Sequence, residues 1–338
     1  MVVWEALDAL SHQLELCGID AETAVVVLTP PEPNHEAVDL VRAAVARTGA
    51  EAIDVRPVRV DGHEPARLLD GPLLGPLLKQ ADVLIDCLPM DDLAGHVPSG
   101  IGDLRVLQLG AAASRPHDFP PHASMRRRVE GLVDQLRSSA TLTISDRIGT
   151  SLRVQLAGAS VTSDHGFVTD PGSFGSFPAG WVQVAPAEAS VEGDLVIMPG
   201  DGNVAAGSLV SSPVRVCVRH DRITAIEGGP DADVLRALLE LADSANIYAV
   251  ASVAVGMNPG STPAGQPFDP TLLDKSTARL TAGVVTVTFG ENLVAGRPDK
   301  AQMPITLSRR DLLADNIPVI SAGALQSQFA PDVYESPA

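Results

Sequence analysis

Residues 164–186, DHGFVTDPGSFGSFPAGWVQVAP, gather the side chains best suited to build a site. Asp164 and His165 place a carboxylate beside an imidazole, a pair able to move a proton or, with Asp170, to offer a weak DHxxxxD set of metal donors. Gly166, Gly172, Gly175 and Gly180, with Pro171 and Pro178, surround Phe167, Phe174 and Phe177, three of the seven Phe of the chain. That mixture suggests a shaped pocket wall rather than a solvated linker. Trp181 stands where the loop runs into an alternating strand, Trp181-Val182-Gln183-Val184. Other histidines are less useful. Six of the eight fall before residue 140, and His220, beside Asp221 at a hairpin tip, reads as a solvated turn residue.

Generic catalytic motifs are absent. The segment after the first apolar strand, LTPPEPNHE, contains no glycine, so the close backbone approach that a pyrophosphate needs is missing. GxxxxGK[ST], HExxH and GxSxG do not occur, and Asp201-Gly202-Asn203 reads as a turn. No cofactor is expected.

The elements that must position these residues change character along the chain. Up to about residue 140, short apolar runs such as Ala24–Leu28, 82–88 and 104–110 alternate with amphipathic segments, the pattern of a doubly wound parallel sheet. Beyond it the period becomes two, in stretches such as WVQVAPA, VASVAVG and VVTVTFG. The expected architecture is therefore an N-terminal α/β domain, 1–140, followed by a mostly antiparallel α+β domain, 141–330, carrying the pocket, and a tail at 331–338. A length of 338 residues accommodates two such cores.

A net charge of −18 argues against nucleic acid or an anionic membrane as partner. Three dispersed cysteines without a CxxC fit a reduced compartment. The first residues form an amphipathic pattern with Glu5 and Asp8 rather than a basic leader, so a cytoplasmic protein is expected.

Five stretches in order resemble one family: GTSLRVQL (149–156), the 164–186 segment, EGDLVI (192–197), VASVAVGMNPG (250–260) and TARLTAGVVTVTFGENLVAG (277–296). The family contains the aminopeptidase T type metallopeptidases, or thermophilic leucyl aminopeptidases, and the 2,5-dihydroxypyridine 5,6-dioxygenases. The resemblance extends into the first half, through GIDAETAVVVLTP and QADVLIDCLP. It implies a two-domain chain, a homodimer and a metal site in the C-terminal half.

Carried over position by position, the resemblance implies that the metal ligands are replaced. A carboxylate in a PAGEV-like stretch becomes Trp181, an acidic ligand becomes Ser252, a histidine becomes Thr286, and a late HxD pair becomes Lys300 and Gln302. These residues offer neutral oxygens and one ammonium, a poor set for a divalent cation.

Three functions are then open. The first is a metal-independent enzyme on a small molecule, performing a cyclisation, elimination or hydrolysis in a specialised-metabolite pathway. There Lys300 would stabilise an oxyanion or, desolvated by Phe174, Phe177 and Trp181, act as a base, while Ser252, Thr286 and Gln302 orient substrate. The second keeps a metal on relocated ligands, Asp164, His165 and Asp170. The third is a non-catalytic dimeric binding protein or pseudoenzyme.

Overall fold

The computed structural model describes residues 2–31, 35–57, 68–88, 102–109, 116–260 and 279–332. Strand β1 (Ala24–Leu28) lies between β2 (Glu51–Val55) and β3 (Val83–Asp86); β4 (Arg105–Leu109) follows β3, and every pairing is parallel. The two faces of this sheet are covered separately. Val25, Val27, Val83, Ile85 and Leu107 pack with Leu10 and Leu14 of α1 (Val2–Leu16) and with Val41, Ala44 and Val45 of α2 (His35–Thr48). Val26, Leu28, Leu84 and Val106 pack instead with Leu69, Leu74 and Leu78. Burial on both sides explains why β1 is apolar throughout, and the doubly wound parallel sheet is as expected.

A further strand of this sheet comes from far along the chain. Strand β8 (Phe174–Phe177) runs parallel to β4, with Val106 opposite Phe174 and Leu109 opposite Phe177. The segment expected to be a pocket loop is thus partly an edge strand. Its glycines serve close packing: Gly172 has φ 71°, and a Cβ there would overlap the carbonyl oxygen of Gly102.

This pairing changes the organisation from the expected single boundary at residue 140. The chain forms two compact units, residues 1–126 with 164–179, and residues 127–163 with 180–338. Most of the expected tail, 333–338, lies outside the described residues.

The second unit holds two antiparallel sheets. One is built from β5 (Thr141–Ser145), β6 (Ser151–Gln155), β10 (Val191–Ile197), β13 (Val214–Arg219), β14 (Arg222–Gly228), β18 (Asp311–Ala314), β19 (Ile317–Ser321) and β20 (Ala324–Leu325). The other has the order β12-β11-β17-β16-β15-β9-β7, from Ser208–Leu209, Gly202–Asn203, Arg297–Leu307, Val285–Asn292, Val250–Gly256, Trp181–Ala185 and Ser160–Asp164. A helix, Pro230–Leu241, follows β14 and buries Ala232, Leu235 and Leu239. Among the described residues no helix is long and apolar enough to cross a membrane.

The hairpin turn at His220-Asp221 is present, with φ values of 50° and 67°. His220 is exposed as expected, but Asp221 is fully buried. Its carboxylate accepts the N–H groups of Ala189, Ser190 and Val191 and pairs with Arg297 at 3.1 Å. Arg297 in turn donates to the carbonyl oxygen of Val250. Removing one partner of a buried pair leaves the other charge uncompensated. Asp221→Ala is expected to lower stability by about 3–5 kcal/mol, read as a shift of the urea unfolding midpoint at unchanged slope. A loss within the range of a surface substitution would contradict this assignment.

Candidate functional site

Four neighbouring strands of the second unit sort their side chains by alternation. Val184, Val253, Val287 and Ile305 lie in one cross-strand row, and Val182, Val255, Val285 and Leu307 in another. These residues are buried on one face. The rows between them belong to the other face and are polar: Gln183 opposite Ala254, Ala254 opposite Thr286, Thr286 opposite Thr306, and Ser252 opposite Thr288. Ser252, Thr286, Thr288 and Thr306 are all buried. Thr306 donates to the carbonyl oxygen of Gly202 at 3.4 Å. The hydroxyls of Ser252 and Thr288 have no hydrogen-bond partner among the described residues. Hydroxyls not engaged within the protein can donate to and accept from the polar groups of a ligand, which suits this face to bind one.

A cation is held over the same face. The guanidinium carbon of Arg279 lies 4.0 Å from the centre of the Trp181 ring, and its Nη1 donates to Gln183 Oε1 at 3.4 Å. Trp181 and Gln183 are two residues apart on β9, so both project to one side and clasp the same guanidinium. Stacking of this kind contributes about 0.5–2 kcal/mol. The turn that delivers Arg279 is tied down by backbone bonds from Asn258 N–H to Leu280 O, 2.9 Å, and from Ala282 N–H to Asn258 O, 2.8 Å. It also requires Gly256, opposite Trp181, where a Cβ would overlap the carbonyl oxygen of Thr281. Beneath it the fully buried Arg128 donates to Met257 O at 2.8 Å.

The sequence profile of the 2,5-dihydroxypyridine 5,6-dioxygenases matches residues 5–327. The chain belongs to this family. The 2,5-dihydroxypyridine 5,6-dioxygenase of Pseudomonas putida KT2440 is 23% identical over 336 residues, covering 92% of this chain and 93% of that protein. The solved structure of the dioxygenase from the same organism superposes with a TM-score of 0.79 at 21% identity, covering 97% of this chain and 99% of its own. Wild-type AmpT from Thermus thermophilus shares the fold at a TM-score of 0.58 and 15% identity, over 95% and 99% of the two chains. The expected resemblance to the dioxygenases and to the aminopeptidase T type therefore stands.

The residues that the sequence resemblance puts at the family's metal positions are poor donors for a divalent cation. Trp181 has no lone pair to give, Ser252 and Thr286 offer hydroxyls, Gln302 is an exposed amide, and Arg279 puts a positive charge on Trp181. No group of three His, Cys, Asp or Glu side chains suited to a metal ion occurs among the described residues. The relocated set fares no better: Asp170 is exposed and paired with Arg126 at 3.0 Å, while Asp164 is committed to backbone and hydroxyl donors.

The other sequence-expected residues are divided between the units. Asp164, His165, Phe174 and Phe177 belong to the first; Trp181, Ser252, Thr286, Lys300 and Gln302 belong to the second. Phe177 is a core residue against the α1 and α2 side of the parallel sheet, and Phe174 is 38% exposed. His165 Nδ1 accepts the Phe167 N–H at 3.1 Å, closing a local turn. Lys300 is exposed on β17, without the desolvation that a basic role would need. Asp201, expected in a simple turn, is buried against Arg310 at 2.6 Å. Arg279 was missed because its neighbours in sequence, Ala278 and Leu280, give no sign that it stacks on Trp181.

Asp164 is structural rather than reactive in appearance. Its Oδ1 accepts Gly166 N–H at 2.7 Å, and its Oδ2 accepts both the Ser176 N–H and the Ser176 hydroxyl. Burial nevertheless lifts its carboxyl above the usual range, against the pull of the Ser176 and Gly166 bonds. A carboxyl raised on folding stabilises fully below its unfolded pKa and loses that contribution as pH rises through the folded value. Asp164→Asn is expected to be less stable than the parent, with a melting-temperature gap that narrows from acidic towards neutral pH. A gap that widens with pH would show that Asp164 is a conventional salt-stabilised carboxylate.

Proposed function

We propose that this protein is a metal-independent tailoring enzyme acting on a small polar molecule, by cyclisation, elimination or hydrolysis, in a specialised-metabolite pathway. The observation that supports it is the buried hydroxyl face of the second unit, bordered by the Arg279 guanidinium stacked on Trp181. Ser252 and Thr288 would hydrogen-bond the substrate and fix its orientation. Arg279 would place a preorganised positive charge where an enolate or oxyanion develops, in a region of reduced hydration where such a charge acts strongly. The dioxygenase activity of the relatives would be replaced, since Trp181, Ser252, Thr286 and Gln302 are poor donors for a divalent metal. Charge stabilisation passes from the exposed Lys300 to the clasped Arg279.

A second reading, a non-catalytic binding protein, is favoured by one fact: no acidic or histidine side chain occupies these polar rows among the described residues. The two readings are separated by turnover. Small molecules retained through purification are identified by native mass spectrometry and offered back to the protein. Under the enzyme proposal the bound compound or its precursor is converted, chelator treatment leaves the rate unchanged, and Arg279→Gln lowers kcat by ~10²–10³ while Lys300→Ala stays within about twofold. Binding without conversion selects the second reading, and loss of activity on chelation removes metal independence.

A closed homodimer belongs to the same proposal, supported by the family's implied assembly and by the long apolar strands of the second unit. Light scattering is expected to return twice the chain mass at micromolar concentration; a monomer would overturn it.

A further inference from the structure

A cleft in the second unit shares no residue with the hydroxyl face. It encloses about 930 Å³ and is formed by the β5–β6 turn at Asp146–Ile148, the Met198–Asp201 segment with Leu209, the β17–β18 turn at Ser308–Asp311, and Ser321 with Ala322. Three aspartates and three arginines line it, so its formal charge is balanced. Their engagement is not balanced.

The carboxylates are committed within the protein. Asp146 Oδ1 accepts the N–H groups of Ile148, Gly149 and Thr150, and its Oδ2 lies 3.0 Å from Arg310 Nε. Asp201 takes the N–H and hydroxyl of Ser308 on one oxygen, and the Met198 N–H and Arg310 on the other. Asp311 accepts the Ala322 N–H at 2.6 Å. Arg310 is consumed by the two buried aspartates and by the carbonyl oxygens of Val196 and Ser308. Arg147 and Arg309 are different. Both are exposed, and neither has an ion pair or hydrogen bond among the described residues.

Two unpaired guanidiniums on one cleft are unexpected in a chain with 42 acidic and 24 basic residues, where a carboxylate partner is seldom far. Arg309 also sits in the left-handed region, with φ 56°, as does Ala322 of the adjoining turn, with φ 47°. A long cationic side chain at a position that glycine or asparagine would occupy more cheaply indicates that the side chain itself is used.

We propose that this cleft is a binding site for a small anion, a metabolite bearing a phosphate or clustered carboxylates, with Arg147 and Arg309 as its two charge contacts and the Arg310–Asp146–Asp201 network as the rigid floor. Guanidinium forks suit both oxyanions, whose shared chemistry is a planar or tetrahedral set of acceptor oxygens.

The test uses the full-length protein and two probes, inorganic phosphate and citrate, titrated at constant ionic strength against sodium chloride. Saturable binding by calorimetry, with a rise in melting temperature beyond the chloride control, is expected for at least one probe. Binding of phosphate alone or citrate alone identifies which oxyanion the site prefers. Arg147→Ser and Arg309→Gly are each expected to weaken that binding by about tenfold or more. Glycine suits the Arg309 backbone, so that variant keeps the fold, and near-parental melting without anion verifies it. Arg279→Gln is expected to bind the probe normally, which separates this cleft from the hydroxyl face. No saturable binding of either probe, or parental affinity in both cleft variants, would overturn the proposal.

Discussion

Strict alternation along β15, β16 and β17 is the constraint on which the second unit depends. With a side-chain period of two, each strand commits every other residue to one face, and the registers align these choices into continuous rows. Val253, Val287 and Ile305 drive burial of one face. The opposite face is then compelled to carry whatever lies between them, here Ser252, Thr286, Thr288 and Thr306. A one-residue slip would put hydroxyls into the core and valines onto the site, so core and site enforce one register.

Around that sheet the arginines divide by the company they keep. Arg128, Arg297 and Arg310 are buried and spend their donors on carbonyl oxygens or on Asp221, Asp146 and Asp201. Such groups hold loops in place, since an uncompensated partner would be costly. Arg279 is held differently, by the aromatic face of Trp181 and the side-chain amide of Gln183, which fix the position of its guanidinium.

The relation to the dioxygenase family separates scaffold from chemistry. Fold similarity to the Pseudomonas putida enzyme extends over nearly the whole chain, and the valine rows of the sheet require the same backbone irrespective of what the polar face carries. Trp181, Ser252 and Thr286 lie in the rows away from the valines, so substitutions at these positions need not disturb the packing that sets the fold.

The amino-acid sequence by itself determined the doubly wound sheet, since Ala24–Leu28 and 104–109 are apolar on both faces, and the antiparallel half, since VASVAVG and VVTVTFG alternate. It also determined family membership, through motifs spread in order along the chain. Only the tertiary structure decided that Phe174–Phe177 is a strand of the first sheet, because its parallel partner Val106–Leu109 lies more than sixty residues earlier and leaves no local trace. The same holds for Arg279 on Trp181, almost a hundred residues apart, and for Asp146, Asp201 and Arg310, each an ordinary turn residue in its own neighbourhood. Period and composition act over one element, whereas a stacked cation, an ion network or an added parallel strand exists only once distant segments share a surface.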